Sequence, residues 1–122
     1  MVNYRRKADS YLQLKNWIVQ HNNYNQNNEW ACHELTALFY EIVMLSKMFL
    51  ESKEKEHDSH KKIIDSLREQ KEKRLAANYQ LMFRVSRALR YEEIKVSNTQ
   101  RKDFLKLYND AKKRLVVLMN KT

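Results

Sequence analysis

Neither glycine nor proline occurs anywhere in the 122 residues of the chain. Tight hairpin turns need residues with positive φ, which glycine supplies most easily, so a β-rich chain without glycine would be very unusual. Both residues destabilise helix interiors. Their absence therefore predicts helices joined by short polar loops. It also excludes the phosphate-binding P-loop, the glycine-rich dinucleotide turn and the nucleophile elbow of hydrolases, because each requires glycine.

The chain has little else that would indicate an oxidising or membrane environment. A single cysteine, Cys32, excludes an internal disulfide, which is consistent with a reducing compartment, and we expect the cytoplasm. The first ten residues are basic without a following apolar run, which is not typical of a secretory signal. The most apolar stretch, residues 35–50, contains Glu41 and Lys47 and is too short to span a bilayer.

Basic residues outnumber acidic ones by 24 to 15, and the excess is uneven along the chain. Residues 84–122 carry a net charge of +7, whereas residues 1–28 carry +3 and residues 29–83 carry −1. A concentrated basic surface attracts anionic partners such as RNA, an acidic protein or lipid headgroups. The alternative is a basic surface that serves only solubility.

Apolar residues recur at helical spacing along most of the chain, which predicts an all-α, antiparallel bundle of four or five helices. We expect one domain covering residues 1–122. The first helix is predicted over residues 4–20 and is followed by an asparagine-rich connector at 22–28. The second helix should begin at an Asn28 cap with Glu29 in its first turn, and it should be the most buried helix.

The second half of the chain predicts two or three further helices. Asp58 or Ser59 can cap a helix, and the polar stretch 68–74 interrupts its apolar stripe, so we expect a joint or bend near residues 70–76. Ser97 and Gln100 fit a capping box that opens the last helix. Between the cap at Asp58 or Ser59 and Tyr91, the predicted apolar stripe consists of Ile63, Ile64, Leu67, Leu75, Leu81, Met82, Val85 and Leu89.

The candidate binding residues are basic or aromatic and lie in the C-terminal third. Arginine can bind phosphate through two hydrogen bonds, and tyrosine can stack on a base. The set begins with three arginines at intervals of three residues, followed directly by a tyrosine. Three lysines on the exposed face of the last helix complete it. The residues are Arg84, Arg87, Arg90, Tyr91, Lys102, Lys106 and Lys113. The alternative is that the arginines pair with Glu92, Glu93 and the acids of the middle segment of the chain.

No metal, cofactor or catalytic site is predicted. His57 and His60 lie in the charged segment 53–62, which we expect to be a solvated turn or helix end, and a third metal ligand is missing. Cys32 and His33 are adjacent, so on a helix their side chains diverge by about 100°, whereas a catalytic pair must face each other.

Three features between residues 30 and 119 carry a family resemblance. An aromatic, apolar helix covers residues 37–50, and His60 follows a polar turn and precedes a short apolar run. An arginine-rich helix, residues 84–91, ends in a tyrosine before a last helix with Ala111 at its centre. This pattern resembles the HEPN superfamily, which implies a helical bundle that binds nucleotides or RNA and often dimerises.

Many HEPN proteins are ribonucleases with an arginine followed four to six residues later by a histidine. Here no histidine follows Arg84, Arg87 or Arg90, because His60 is the last histidine of the chain. The resemblance therefore implies a binding or regulatory member.

Three hypotheses about function follow from these observations. The first is a non-catalytic helical interaction module that binds RNA or an acidic protein through its basic C-terminal face. The second is a small accessory or inhibitor protein of a phage or mobile element that acts only by protein–protein contact, and a homodimer is compatible with both. The third is a ribonuclease with an atypical site, in which His57 or His60 acts with an arginine of another helix or subunit.

Overall fold

The architecture comes from a computed structural model that describes residues 2–21, 31–91 and 96–121. Within these ranges the chain forms five helices and no strand, which confirms the predicted all-α bundle. None of these helices combines the length and the apolar character needed to cross a membrane. The helices are α1 (Tyr4–His21), α2 (Ala31–Ser52), α3 (His60–Glu69), α4 (Lys73–Tyr91) and α5 (Asn98–Asn120).

Helix α2 is the centre of the fold, as its apolar composition predicts. It packs against each of the other four helices, while α4 also packs against α3 and α5. Leu35, Leu38, Phe39 and Ile42 on α2 are completely inaccessible to solvent. Each side chain of this kind stabilises the fold by roughly 1.5–3 kcal/mol when it is buried. The predicted start of α2 at Asn28 and the connector at 22–28 lie outside the described residues.

The chain turns at two helix ends without glycine. Lys71 follows α3 with φ of 63°, and Glu54 follows α2 with φ of 56°. At each end, backbone hydrogen bonds of the Schellman type close the last turn: Glu72 N–H donates to Leu67 C=O at 3.0 Å, and Lys55 N–H donates to Leu50 C=O at 2.9 Å. The break between Glu69 and Lys73 confirms the predicted joint.

Two residues of the predicted apolar stripe do not lie in the core. Leu81 is 45% exposed and Val85 is 38% exposed. The buried face of α4 instead follows a regular spacing of three or four residues that leaves both outside it. That face consists of Leu75, Ala76, Tyr79, Met82, Ser86 and Leu89.

Helix α5 is attached to α2 through two buried carboxylates. Glu34 accepts hydrogen bonds from Arg101 Nε and Nη2 at 3.1 and 3.0 Å. Glu41 accepts a hydrogen bond from the Tyr108 hydroxyl and forms an ion pair with Lys112 Nζ at 2.8 Å. These pairs set the position of α5 along α2. At its start, the predicted capping box is confirmed: the Ser97 hydroxyl accepts from the Gln100 N–H, and the Gln100 side chain accepts from the Ser97 N–H.

Candidate functional site

An aromatic cluster forms where α2, α3 and α4 meet. The imidazole of His60 stacks on the Phe83 ring, with 4.3 Å between ring centroids and 27° between ring planes. Phe39 of α2 lies 5.7 Å from His60 and 5.4 Å from Tyr79, again between centroids. The Tyr79 hydroxyl lies 2.8 Å from His60 Nδ1. The cluster therefore joins one residue of α2, one of α3 and two of α4.

The N-terminus of α3 determines where His60 lies. Ser59 is the N-cap of this helix, and its hydroxyl accepts a hydrogen bond from the Lys62 N–H at 3.2 Å. His60 is consequently the first residue of the helix, and its side chain packs between α2 and α4. The expectation that both histidines lie in a solvated segment is therefore wrong, because His60 and His57 are both half-buried. His57 belongs to a different cluster, because its ring contacts Tyr4 and its Nδ1 donates to the Lys55 carbonyl.

A surface pocket of about 640 Å³ opens above the His60–Phe83 stack. It brings together all four predicted binding residues of α4. A neighbouring pocket of about 430 Å³ shares Phe83 and continues along the groove between α3 and α4, where Lys61 and Arg68 line it. The first pocket, hereafter the His60 pocket, is lined by His60, Phe83, Arg84, Arg87, Ala88, Arg90 and Tyr91.

Arg90 is held in place by the surrounding side chains. Its guanidinium donates to the Tyr40 hydroxyl and to the Ser86 carbonyl, the latter at 3.3 Å. The same group lies 5.6 Å from the centroids of both the Tyr40 and the Tyr91 rings, within the range of cation–π attraction. Tyr91 itself is 74% exposed, so its ring is accessible to a ligand at the rim of the pocket.

The described residues that line the pocket include three arginines and no acidic residue. Among the carboxylates in the described part of the chain, none forms an ion pair with Arg84, Arg87 or Arg90. The alternative partners Glu92 and Glu93 lie outside the described residues. Burial, followed by the positive charges of Lys47 and Arg90, holds the pKa of His60 below its usual value. His60 is therefore neutral at pH 7, and the charge of the pocket comes from its guanidinium groups.

The predicted lysines of the last helix do not join this pocket. Lys102, Lys106 and Lys113 are exposed on α5. Of the residues that the structure describes, those that line the His60 pocket and its neighbour all belong to α3 and α4. The structure thus divides the predicted set into a pocket on α4 and a separate basic face on α5.

The described residues contain no group of three or more histidine, cysteine or acidic side chains that could hold a metal ion. Cys32 is half-buried and His33 is exposed at the start of α2. The His60 pocket itself brings together guanidinium groups, aromatic rings and one imidazole.

Comparisons with protein families, with curated proteins and with solved structures give no match to this chain. The function must be inferred from the pocket itself.

Proposed function

We propose that the chain binds single-stranded RNA without cleaving it, with successive backbone phosphates at the three arginines of the His60 pocket. The observation that carries this proposal is the convergence of Arg84, Arg87 and Arg90 with two aromatic surfaces, the His60–Phe83 stack and Tyr91. Guanidinium groups bind phosphate oxygens through charge-assisted hydrogen bonds, and aromatic rings stack on bases.

The aromatic rim favours RNA over an acidic protein. An acidic peptide would use the guanidinium groups, but its carboxylates do not stack on rings. Every nucleotide of an RNA carries a base that can lie against Tyr91, which is the most exposed large apolar side chain of the described residues. A single strand is favoured over a duplex, because its unstacked bases can reach protein rings directly. The HEPN resemblance agrees with an RNA ligand and stays a prediction.

A ribonuclease is the second candidate, because the structure brings His60 into one pocket with three arginines of another helix. This arrangement differs from the HEPN motif in sequence order, yet it places the same residue types together. Incubation with end-labelled RNA separates the two candidates. We expect the RNA to stay intact, whereas cleavage that disappears in His60→Ala would establish the ribonuclease instead.

The proposal is tested by fluorescence anisotropy with a labelled oligonucleotide of about ten nucleotides at increasing salt. Three phosphate contacts on a single strand predict a slope of log K against log salt of about −2, which is a roughly 20-fold loss between 50 and 200 mM. No binding at 50 mM salt would refute the proposal and leave an acidic protein as the partner to test. Binding that does not change with salt would contradict the role of the arginines.

Tyr91→Ala is expected to lower RNA affinity about tenfold, since stacking of one base on an aromatic ring contributes about 1–3 kcal/mol. Tyr91→Phe is the matched control and should bind like the wild type, because the ring is retained. The salt slope should be unchanged in both variants, because neither removes a charge. Equal losses in the two variants would mean that the hydroxyl, and not the ring, contacts the ligand.

A further inference from the structure

Among the described residues, the hydroxyl of Tyr79 has one hydrogen-bond partner. Tyr79 is completely buried, and its oxygen lies 2.8 Å from His60 Nδ1. Burial also raises the pKa of Tyr79 far above its usual value, so the hydroxyl keeps its proton. A buried hydroxyl that fails to donate its proton costs about 1–3 kcal/mol. Since His60 Nδ1 is the acceptor within reach, the Tyr79 hydroxyl donates to it.

This hydrogen bond determines which nitrogen of the imidazole carries the proton. A neutral imidazole has one protonated and one unprotonated nitrogen, and the partner of one nitrogen fixes the state of the other. Because Nδ1 accepts from Tyr79, it is unprotonated, and the proton lies on Nε2. The two ring nitrogens point away from each other, so Nε2 lies on the side of the ring away from buried Tyr79, and His60 is one of the residues that line the pocket.

We propose that His60 is a neutral hydrogen-bond donor whose ring is oriented by Tyr79. Its Nε2–H donates a hydrogen bond to a phosphate oxygen in the His60 pocket. This inference rests on the proposed function, which identifies RNA as the source of the phosphate. The group that His60 itself binds is the phosphate. Around that N–H the pocket offers the guanidinium groups of Arg84, Arg87 and Arg90, which are also donors. A site built from donors matches the phosphodiester of an RNA backbone, whose oxygens only accept hydrogen bonds at neutral pH.

The same geometry opposes a role for His60 in RNA cleavage. A general base needs an unprotonated nitrogen within hydrogen-bond reach of the proton that it removes. The unprotonated nitrogen of His60 is Nδ1, and the Tyr79 hydroxyl occupies it. Protonation of His60, which would turn it into an acid, is also unfavourable, because it would leave the Tyr79 hydroxyl without an acceptor. It would also add a positive charge close to those of Lys47 and Arg90. His60 therefore binds the ligand and does not exchange protons with it.

Long-range ¹H–¹⁵N NMR spectra at pH 7.5 test the protonation state directly, with His60 assigned by its absence from the spectrum of His60→Gln. We expect a protonated Nε2 and an unprotonated Nδ1, and we expect inorganic phosphate to shift the Nε2 resonance. A proton on Nδ1, an imidazolium ion, or no shift with phosphate would overturn the inference. If the Nε2–H and the phosphate shift are observed but RNA does not bind, the phosphate site stands and the proposed function falls.

A matched pair of substitutions tests the donor by RNA affinity. Glutamine can place an amide N–H near the position of His60 Nε2, whereas alanine cannot. We therefore expect His60→Gln to bind within about threefold of the wild type and His60→Ala to lose about tenfold, as for a lost hydrogen bond to a charged group. If His60→Gln loses as much as His60→Ala, the N–H donor is not what binds, and the inference fails.

Discussion

Replacement of Arg84, Arg87 and Arg90 by alanine together is expected to lower the affinity for single-stranded RNA by about 100-fold at 0.1 M salt. A buried charge-assisted hydrogen bond contributes about 1.5–3 kcal/mol to binding. Solvent weakens this interaction in an open pocket, so we take about 1 kcal/mol for each arginine, which gives about 3 kcal/mol for the three together. The salt slope should also become shallower by about 2, since three phosphate contacts are lost. Anisotropy titrations across a salt series measure both quantities.

The lysines on α5 provide a control of equal charge. Replacement of Lys102, Lys106 and Lys113 by alanine lowers the net charge from +9 to +6, the same change as in the triple arginine variant. These lysines lie outside the His60 pocket, so they act on RNA only through long-range attraction, which is largely screened beyond about 10 Å at 0.1 M salt. We expect a loss of less than about fivefold. Equal losses in the two triple variants would show that net charge, and not the pocket, determines binding.

Lys112→Met is expected to destabilise the fold by about 3 kcal/mol. It removes the cation that pairs with Glu41, whose side chain is only 4% exposed. Loss of one partner of a buried ion pair typically costs about 3–5 kcal/mol, because the other charge is left uncompensated. We take the lower end because a third of the Lys112 side chain is exposed. Urea denaturation followed by circular dichroism measures the difference.

The double variant Glu41→Gln/Lys112→Met is the informative control. Its neutral glutamine can still accept the hydrogen bond from the Tyr108 hydroxyl, and no charge is left buried. We expect it to recover most of the loss, to within about 1 kcal/mol of the wild type. Lys113→Met, on the exposed side of the same helix, should change stability by less than about 0.5 kcal/mol. If Lys112→Met were as stable as Lys113→Met, the buried pair would not contribute to stability.

The fold could be predicted from residues whose effect is local. Three predicted features depend only on nearby residues, and the structure agrees with each. They are the capping box of Ser97 and Gln100, a cap at Asp58 or Ser59, which the structure assigns to Ser59, and a joint in the polar stretch before residue 75. The attachment of α5 to α2 could not be predicted in this way. Glu34 and Glu41 appear in the sequence as two ordinary acids, and their burial depends on partners 67 residues away in α5.

The candidate site was predictable only in part, for the same reason. Arg84, Arg87, Arg90 and Tyr91 follow one another on a single helix, so their spacing was enough to group them. His60 could be assigned to the site only once α3 had been placed against α4, since its ring partner Phe83 and its hydrogen-bond partner Tyr79 belong to the next helix. A weak signal existed in the aromatic pair Tyr79 and Phe83, four residues apart on one helical face.

The most direct test of the central claim, that the His60 pocket receives the RNA backbone, is a map of backbone amide NMR shifts during titration with a short single-stranded RNA. We predict the largest shifts at His60, Phe83 and residues 84–91, with smaller shifts along the adjoining groove at Lys61 and Arg68. Shifts confined to the exposed face of α5 around Lys102, Lys106 and Lys113, with the pocket unchanged, would contradict the account.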